Sequence, residues 1–236
     1  ASNSECGSCP AIGSLSDPAD ICVGESFDLT ASGLDDMAMV DNGDLDFGID
    51  FVHFGANNAL PADPYTGGTS LGAIPFGSLT GTDPNQMADI TGVGNSLAPG
   101  TYQICAILTP TPTDGLCRPR QCIELEVFDL PTVDFTAPAD LCIDAGVQSG
   151  LGGGTPTGGV YSGQGVTDDG NGITYSFDPA AAGVGVHSIT YTFTDGNGCN
   201  NSASDDVEVF ELPTVDFTAP ADLCIDAGVQ SGLGGG

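Results

Sequence analysis

Apolar and polar residues alternate along this chain in short stretches separated by turn-forming residues. In Tyr102–Leu108 the apolar positions Tyr102, Ile104, Ala106 and Leu108 fall on one side, which is the period of a half-buried strand. Gln121–Phe128 has the same pattern through Ile123, Leu125 and Val127. In Leu45–Phe51, Leu45, Phe47, Ile49 and Phe51 share one face, and Asp46 and Asp50 take the other. Further strands are expected at 132–136, 147–151, 159–162, 173–177, 187–193 and 207–210. Between them lie Asp169-Gly170-Asn171-Gly172, Asp195-Gly196-Asn197-Gly198 and Pro179, all turn chemistry.

The pattern also recurs at long range. Residues 131–154 read PTVDFTAPADLCIDAGVQSGLGGG, and residues 213–236 repeat those 24 letters at an offset of 82. A weaker copy opens the chain, where LSDPADIC (Leu15 to Cys22) lies over FTAPADLC (Phe135 to Cys142). Such spacing marks an array of modules. We therefore expect three segments: an enlarged module over 1–130 with a leading CxxC, a standard repeat over 131–212, and the opening strands of a further repeat over 213–236. Six or seven short strands within 82 residues fit an all-β fold of tandem immunoglobulin-like β-sandwich modules. The first module is longer in its middle: Cys22 to Gly100 spans 78 positions, against 43 from Cys142 to Gly185.

Charge narrows the function. The two basic residues are Arg118 and Arg120, against 32 acids, for a formal net charge of −30. Nothing sufficient to neutralise phosphates is present, so no nucleic acid partner is expected. Docking on an anionic membrane surface is disfavoured likewise. With no run of 18 apolar residues, no membrane insertion is expected.

Nine cysteines in a Gly-rich acidic chain point to an oxidising, extracellular or cell-surface setting. Within the standard repeat the cysteines are Cys142 and Cys199, which predicts a Cys142–Cys199 bond. Cys22 aligns with Cys142, and Cys117 with Cys199, each of the latter 11 residues before a module-ending Phe. Cys22–Cys117 is then the equivalent bond. Cys105 and Cys122 both lie opposite the apolar face of their strands, which predicts a cross-strand bond on the solvent side. Cys6 and Cys9 are expected to pair with each other, and Cys224 to remain unpaired or bond between molecules. Zinc at Cys6-x-x-Cys9 would need a second ligand pair, and His53 and His187 are isolated.

Residues 158–199, GGVYSGQGVTDDGNGITYSFDPAAAGVGVHSITYTFTDGNGC, carry a YSG-x-GV element, an F-x-P turn, an AGxGxHxITYT strand and a TD-x-x-GC turn. This string resembles the tandem immunoglobulin-like repeats of giant secreted surface adhesin and fibre proteins of Bacteroidetes-type bacteria. The resemblance covers residues 131–236 well and the first module at its ends. It implies an exported adhesin or fibre, and it carries over no catalytic residues.

The remaining chemistry is sparse. Asp46 and Asp50 are about 13 Å apart along a strand, too far to share an ion. Asp41, Asp44 and Asp46, at a turn, are the candidate calcium ligands, and no other cofactor is expected. The Gly68-Thr69-Ser70-Leu71-Gly72 match to a nucleophile elbow lies in a loop-rich region, away from any strand-to-helix turn. His187 reads as a core histidine. Thr109, Thr111, Thr113, Thr155 and Thr157 are candidates for O-linked sugars, and Asn200 heads an N-glycosylation triplet. We expect a non-enzymatic extracellular structural protein: a stalk or filament that self-associates or continues as a longer array. The alternative is an adhesin that binds a glycan or protein through the enlarged first module.

Overall fold

The computed structural model describes residues 12–34, 48–74, 86–109 and 119–218. The chain divides into two compact units, falling within Ala1–Pro131 plus Thr194–Asn201, and within Thr132–Phe193 plus Ser202–Gly236.

The first unit contains β1 (Ser14–Leu15), β2 (Ile21–Cys22), β3 (Phe27–Leu34), β4 (Gly48–Phe54), β5 (Thr69–Ile74), β6 (Gln86–Val93), β7 (Gly100–Thr109) and β8 (Arg120–Phe128). One sheet has the order β1-β3-β6 and the other β2-β8-β7-β4-β5. Neighbours pair antiparallel except β2, which runs parallel to β8, with Ile21 opposite Val127 and Cys22 opposite Phe128. The alternation of the sequence decides which side chains fill the space between the sheets. Leu29 and Ala31 from β3 meet Ile49 and Phe51 from β4, Ile104 and Ala106 from β7, and Leu125 and Val127 from β8. Leu45, Phe47, Asp41, Asp44 and Asp46 lie outside the described residues.

The second unit contains β9 (Leu141–Cys142), β10 (Gln148–Leu151), β11 (Val160–Gly163), β12 (Val166–Asp168), β13 (Tyr175–Phe177), the single-turn helix α1 (Pro179–Ala182), and all of β14 (Gly185–Thr194) and β15 (Asn200–Phe210) except their turn-proximal ends Thr194 and Asn200–Asn201. Its sheets have the orders β10-β13-β12 and β11-β14-β15-β9. Here β9 runs parallel to β15, with Cys142 opposite Phe210. Both units are thus immunoglobulin-like sandwiches, each with its short opening strand laid parallel to its last. The strand expected at 132–136 is reduced to a bridge between Asp134 and Thr155. The Pro179 turn is helical because Pro suits the first helical position and Asp178 caps it, accepting from the Ala180 N–H at 3.0 Å.

Tyr161, Tyr175, Phe177 and Tyr191 dominate the second core. Two glycines make room for Tyr191. A Cβ on Gly154 would lie 2.6 Å from its ring, and one on Gly159 would lie 2.5 Å from it. The Tyr191 hydroxyl accepts from the Gly159 N–H at 2.8 Å and donates to the Pro156 carbonyl.

Candidate functional site

The positions that set this chain apart from an ordinary pair of sandwiches are its cysteines. Cys199 closes the turn between β14 and β15, in the segment Thr194–Asn201 that groups with the first unit. The Asp195 carboxylate organises that turn, accepting from the Asn197 N–H at 2.9 Å and the Cys199 N–H at 3.0 Å. The Asp195 N–H in turn donates to the Cys199 carbonyl at 2.9 Å. At the far end of β2, the Cys22 N–H donates to the Glu25 carboxylate at 2.9 Å, and the Cys22 carbonyl accepts from the Glu25 N–H. Cys22 and Cys199 are joined by a disulfide with Cα atoms 5.5 Å apart, and both residues are buried. A shallow recess of about 270 Å³ beside the bond is lined by Val23, Gly24, Glu25, Leu130 and Asn200.

This connectivity replaces the two bonds expected from counting cysteines. Cys142 is free and exposed. It lies opposite Phe210, whereas Cys199 immediately precedes Asn200 at the other end of the same strand. Ten residues of extended chain separate those ends by about 33 Å. A disulfide requires Cα atoms within about 7 Å. A Cys142–Cys199 bond is therefore impossible in this sandwich. The same geometry governs the first unit, where Cys22 lies opposite Phe128 and Pro119 is already about 30 Å back along the strand. The bond expected from Cys22 to Cys117 gives way to Cys22–Cys199. Cys117, Cys6, Cys9 and Cys224 lie outside the described residues.

Cys105 and Cys122 are directly opposed across β7 and β8 and are joined, with Cα atoms 4.1 Å apart. The expected solvent-side location needs correction, because Cys105 is fully buried. The outer face of the five-stranded sheet carries a small apolar cluster of Val52, Phe54, Cys105 and Ile107, with Tyr65 and Cys122 packed against it. Tyr65, in the loop between β4 and β5, is fastened there: its hydroxyl donates to the Pro119 carbonyl at 2.6 Å and accepts from the Leu108 N–H at 3.2 Å. In the second repeat the positions aligned with Cys105 and Cys122 are Thr190 and Ser204, whose hydroxyls hydrogen-bond at 2.8 Å. The cross-strand link is covalent in one repeat and polar in the other.

The other predicted residues are dispersed. Among the described residues no group of three or more His, Cys, Asp and Glu is placed to hold a metal ion. Thr155 and Thr157 are exposed, Thr109 is half-buried and Asn200 is exposed at the start of β15; Thr111 and Thr113 lie outside the described residues. His187 is half-buried, its Nε2 2.8 Å from the Gly183 carbonyl. His53 sits edge-on to Tyr102 with ring centroids 5.4 Å apart, and burial lowers its pKa. Ser70 donates to the Asp50 carboxylate from β5, so the glycine-rich match around it is strand and not a nucleophile turn. Among the described residues no helix is long and apolar enough to cross a membrane.

Sequence reasoning missed the Cys22–Cys199 bond and the Tyr65 cover. The first depends on where strand ends fall in space, which alternation along the chain does not give. The second had no local trace.

No protein-family model matches the chain, and no curated protein matches it. Solved structures do. The fibronectin(III)-like modules of Clostridium thermocellum CbhA are 17% identical over 87% of this chain and 99% of theirs, with a TM-score of 0.31. A Ca2+-stabilised ice-binding adhesin of an Antarctic bacterium is 16% identical over 86% of this chain, which spans half of that structure, with a TM-score of 0.39. A 1.5-MDa bacterial ice-binding adhesin gives 13% identity over 86% of this chain and 66% of its own, with a TM-score of 0.33. At these identities and TM-scores the likenesses say nothing of what this chain does.

Proposed function

We propose that this chain is an extracellular, non-enzymatic structural protein, a stalk or filament built from disulfide-stapled immunoglobulin-like repeats. The observation that carries the reading is the Cys22–Cys199 bond, which ties the opening strand of one sequence repeat to the hairpin turn of the next. A covalent tie between successive repeats, added to the short link Asp129-Leu130-Pro131, opposes separation of neighbours under load. The net charge of −30 discourages lateral clumping of such an array. The test is electron cryomicroscopy of the native material, without reduction or proteolysis. Continuous fibres of stacked sandwiches are expected; dispersed bead-like monomers would remove the filament reading.

A second reading has an observation of its own. In the enlarged first repeat, Phe54 and the loop between β4 and β5 frame a recess of about 390 Å³. That recess makes this repeat the candidate adhesive head for a glycan or protein. Glycan-array binding by the full chain, lost on Phe54→Ser, is its test. Calcium at Asp41, Asp44 and Asp46, and sugars on Thr109, Thr111, Thr113, Thr155, Thr157 or Asn200, belong to this proposal as candidates, checked by calorimetry with calcium and by intact mass.

A further inference from the structure

We propose that Cys142 is a second inter-repeat disulfide site, and that its partner is the hairpin-turn cysteine of a following copy of the repeat. The inference rests on the array reading above and extends it from one bond to a rule: each opening cysteine is bonded to the next repeat's hairpin cysteine.

An isolated exposed thiol would carry no such proposal. The argument comes from Cys22, which occupies the same backbone position one repeat earlier and already carries the bond. The two settings share four backbone features, although the Glu25 carboxylate that accepts from the Cys22 N–H is replaced by Ala145 beside Cys142. Cys22 lies opposite Phe128 in a parallel pair, and Cys142 lies opposite Phe210. Val23 and Ile143 each donate an N–H to that Phe carbonyl at 2.9 Å. The carbonyls of Cys22 and Cys142 each accept from the N–H three residues on, at 3.0 Å. Asp20 and Asp140 each accept from the N–H of the residue two before that Phe, Glu126 and Glu208, at 2.9 Å. The backbone that aims Cys22 at its partner is reproduced around Cys142.

The direction of pairing follows from where each cysteine sits in a sandwich. The opening cysteine lies beside the last residue of the final strand, where the chain leaves the repeat. The hairpin cysteine lies where the chain enters, since the Asn201 side chain next to that turn donates to the Pro131 carbonyl at 3.0 Å. Leaving and entering ends meet when repeats follow one another through a short link. Glu211-Leu212-Pro213 is as short as Asp129-Leu130-Pro131, and the copy of the repeat opens at Pro213.

Formation needs an oxidant, and a small-molecule disulfide such as glutathione disulfide suffices. The thiolate of one cysteine attacks it, giving a mixed disulfide and one thiol; the second cysteine's thiolate then displaces the other. One protein Sγ–Sγ bond forms, one small-molecule S–S bond breaks, and the two protons end on the two released thiols.

The test is the full chain lengthened after Gly236 by the sequence of residues 155–212, which completes the copy opening at Pro213. Both chains are alkylated with iodoacetamide under native, oxidising conditions and mapped by non-reducing digestion and mass spectrometry. Cys142 should be alkylated in the 236-residue chain and lose that labelling in the lengthened one, appearing bonded to the appended hairpin cysteine. A protease-resistant appended repeat with Cys142 still alkylated overturns the proposal, as does a dimer through Cys142 on a non-reducing gel. Cys22→Ser in the 236-residue chain supplies an arm independent of the appended repeat. Cys199 should then become alkylated, and a Cys142–Cys199 bond instead would overturn the pairing rule. Absence of Cys22–Cys199 from the unaltered chain would remove the array reading itself, a result distinct from an alkylated Cys142 beside an intact Cys22–Cys199.

Discussion

At the scale of single residues, the tyrosines of the second core separate two roles that burial alone would merge. Tyr191 satisfies both the Gly159 N–H and the Pro156 carbonyl, so Tyr191→Phe leaves two backbone groups unpaired. We expect a loss of about 1–3 kcal/mol, read from chemical denaturation. The Tyr175 hydroxyl is fully buried with no hydrogen-bond partner. Tyr175→Phe should therefore be neutral or mildly stabilising, within about 1 kcal/mol. The contrast sinks the idea if both substitutions cost the same. Burial, with a smaller contribution from Tyr161, pushes the Tyr175 pKa up to about 12 from 10.0. The fold thus favours the neutral phenol, so its contribution is complete below pH 10.0 and falls away as pH rises through about 12. Melting of the second unit should drop over that window, and Tyr175→Phe should blunt the drop. Gly159→Ala must push its new methyl into the Thr192 carbonyl as well as the Tyr191 ring, for an overpacking loss of about 1–3 kcal/mol in the same assay.

At the scale of elements, the two final hairpins show one position solved in two ways. Cys105–Cys122 closes a 17-residue separation, for which chain entropy suggests about 3 kcal/mol. The double change Cys105→Ala with Cys122→Ala should lower the denaturation midpoint accordingly. The hydrogen-bonded pair Thr190 and Ser204 marks where the second hairpin would accept the same device. Thr190→Cys with Ser204→Cys should form a disulfide spontaneously in air and raise the melting temperature of the second unit. Failure to oxidise would show that the two hairpins differ in register at this point. The covering loop accounts for the other difference between them. With Tyr65 in place Cys105 is sealed, so Tyr65→Ala should speed reduction of this bond by dithiothreitol under native conditions. The aligned Thr190 is half-buried, where Cys105 is fully buried.

At the scale of the whole molecule, charge and covalent linkage act together. A formal charge of −30 and a pI of about 4.1 leave the chain strongly self-repelling at neutral pH. Acidification towards pH 4 should remove that repulsion, and light scattering should then show association that reverses on neutralising. Persistence of dispersed chains at pH 4 would show that charge is not what holds them apart. Cys22–Cys199 spans a sequence separation of 177, the longer of the two disulfide separations among the described residues.

That long-range bond marks the boundary of what could be learned from the letters alone. Strand identity and facing were legible, because the pleat sends successive side chains to opposite faces and the core selects one set. Tyr102, Ile104 and Ala106, or Ile123 and Leu125, needed no knowledge of their neighbours to be placed. The repeat of 82 residues was equally plain, as was the opposition of Cys105 and Cys122 across a hairpin whose strands are close in sequence. What lay outside the sequence was where strand ends fall in space. Alternation says which face Cys142 or Cys199 is on but not which end of the sandwich, and a separation of about 33 Å along one strand decides the pairing. The burial of Cys105 depended likewise on Tyr65, 40 residues away in the chain and brought over the sheet by a loop with no alternation of its own. Local periodicity determined the strands and their faces; only the packed structure decided which sulfurs meet, because that is set by distance between chain ends and not by the order of residues.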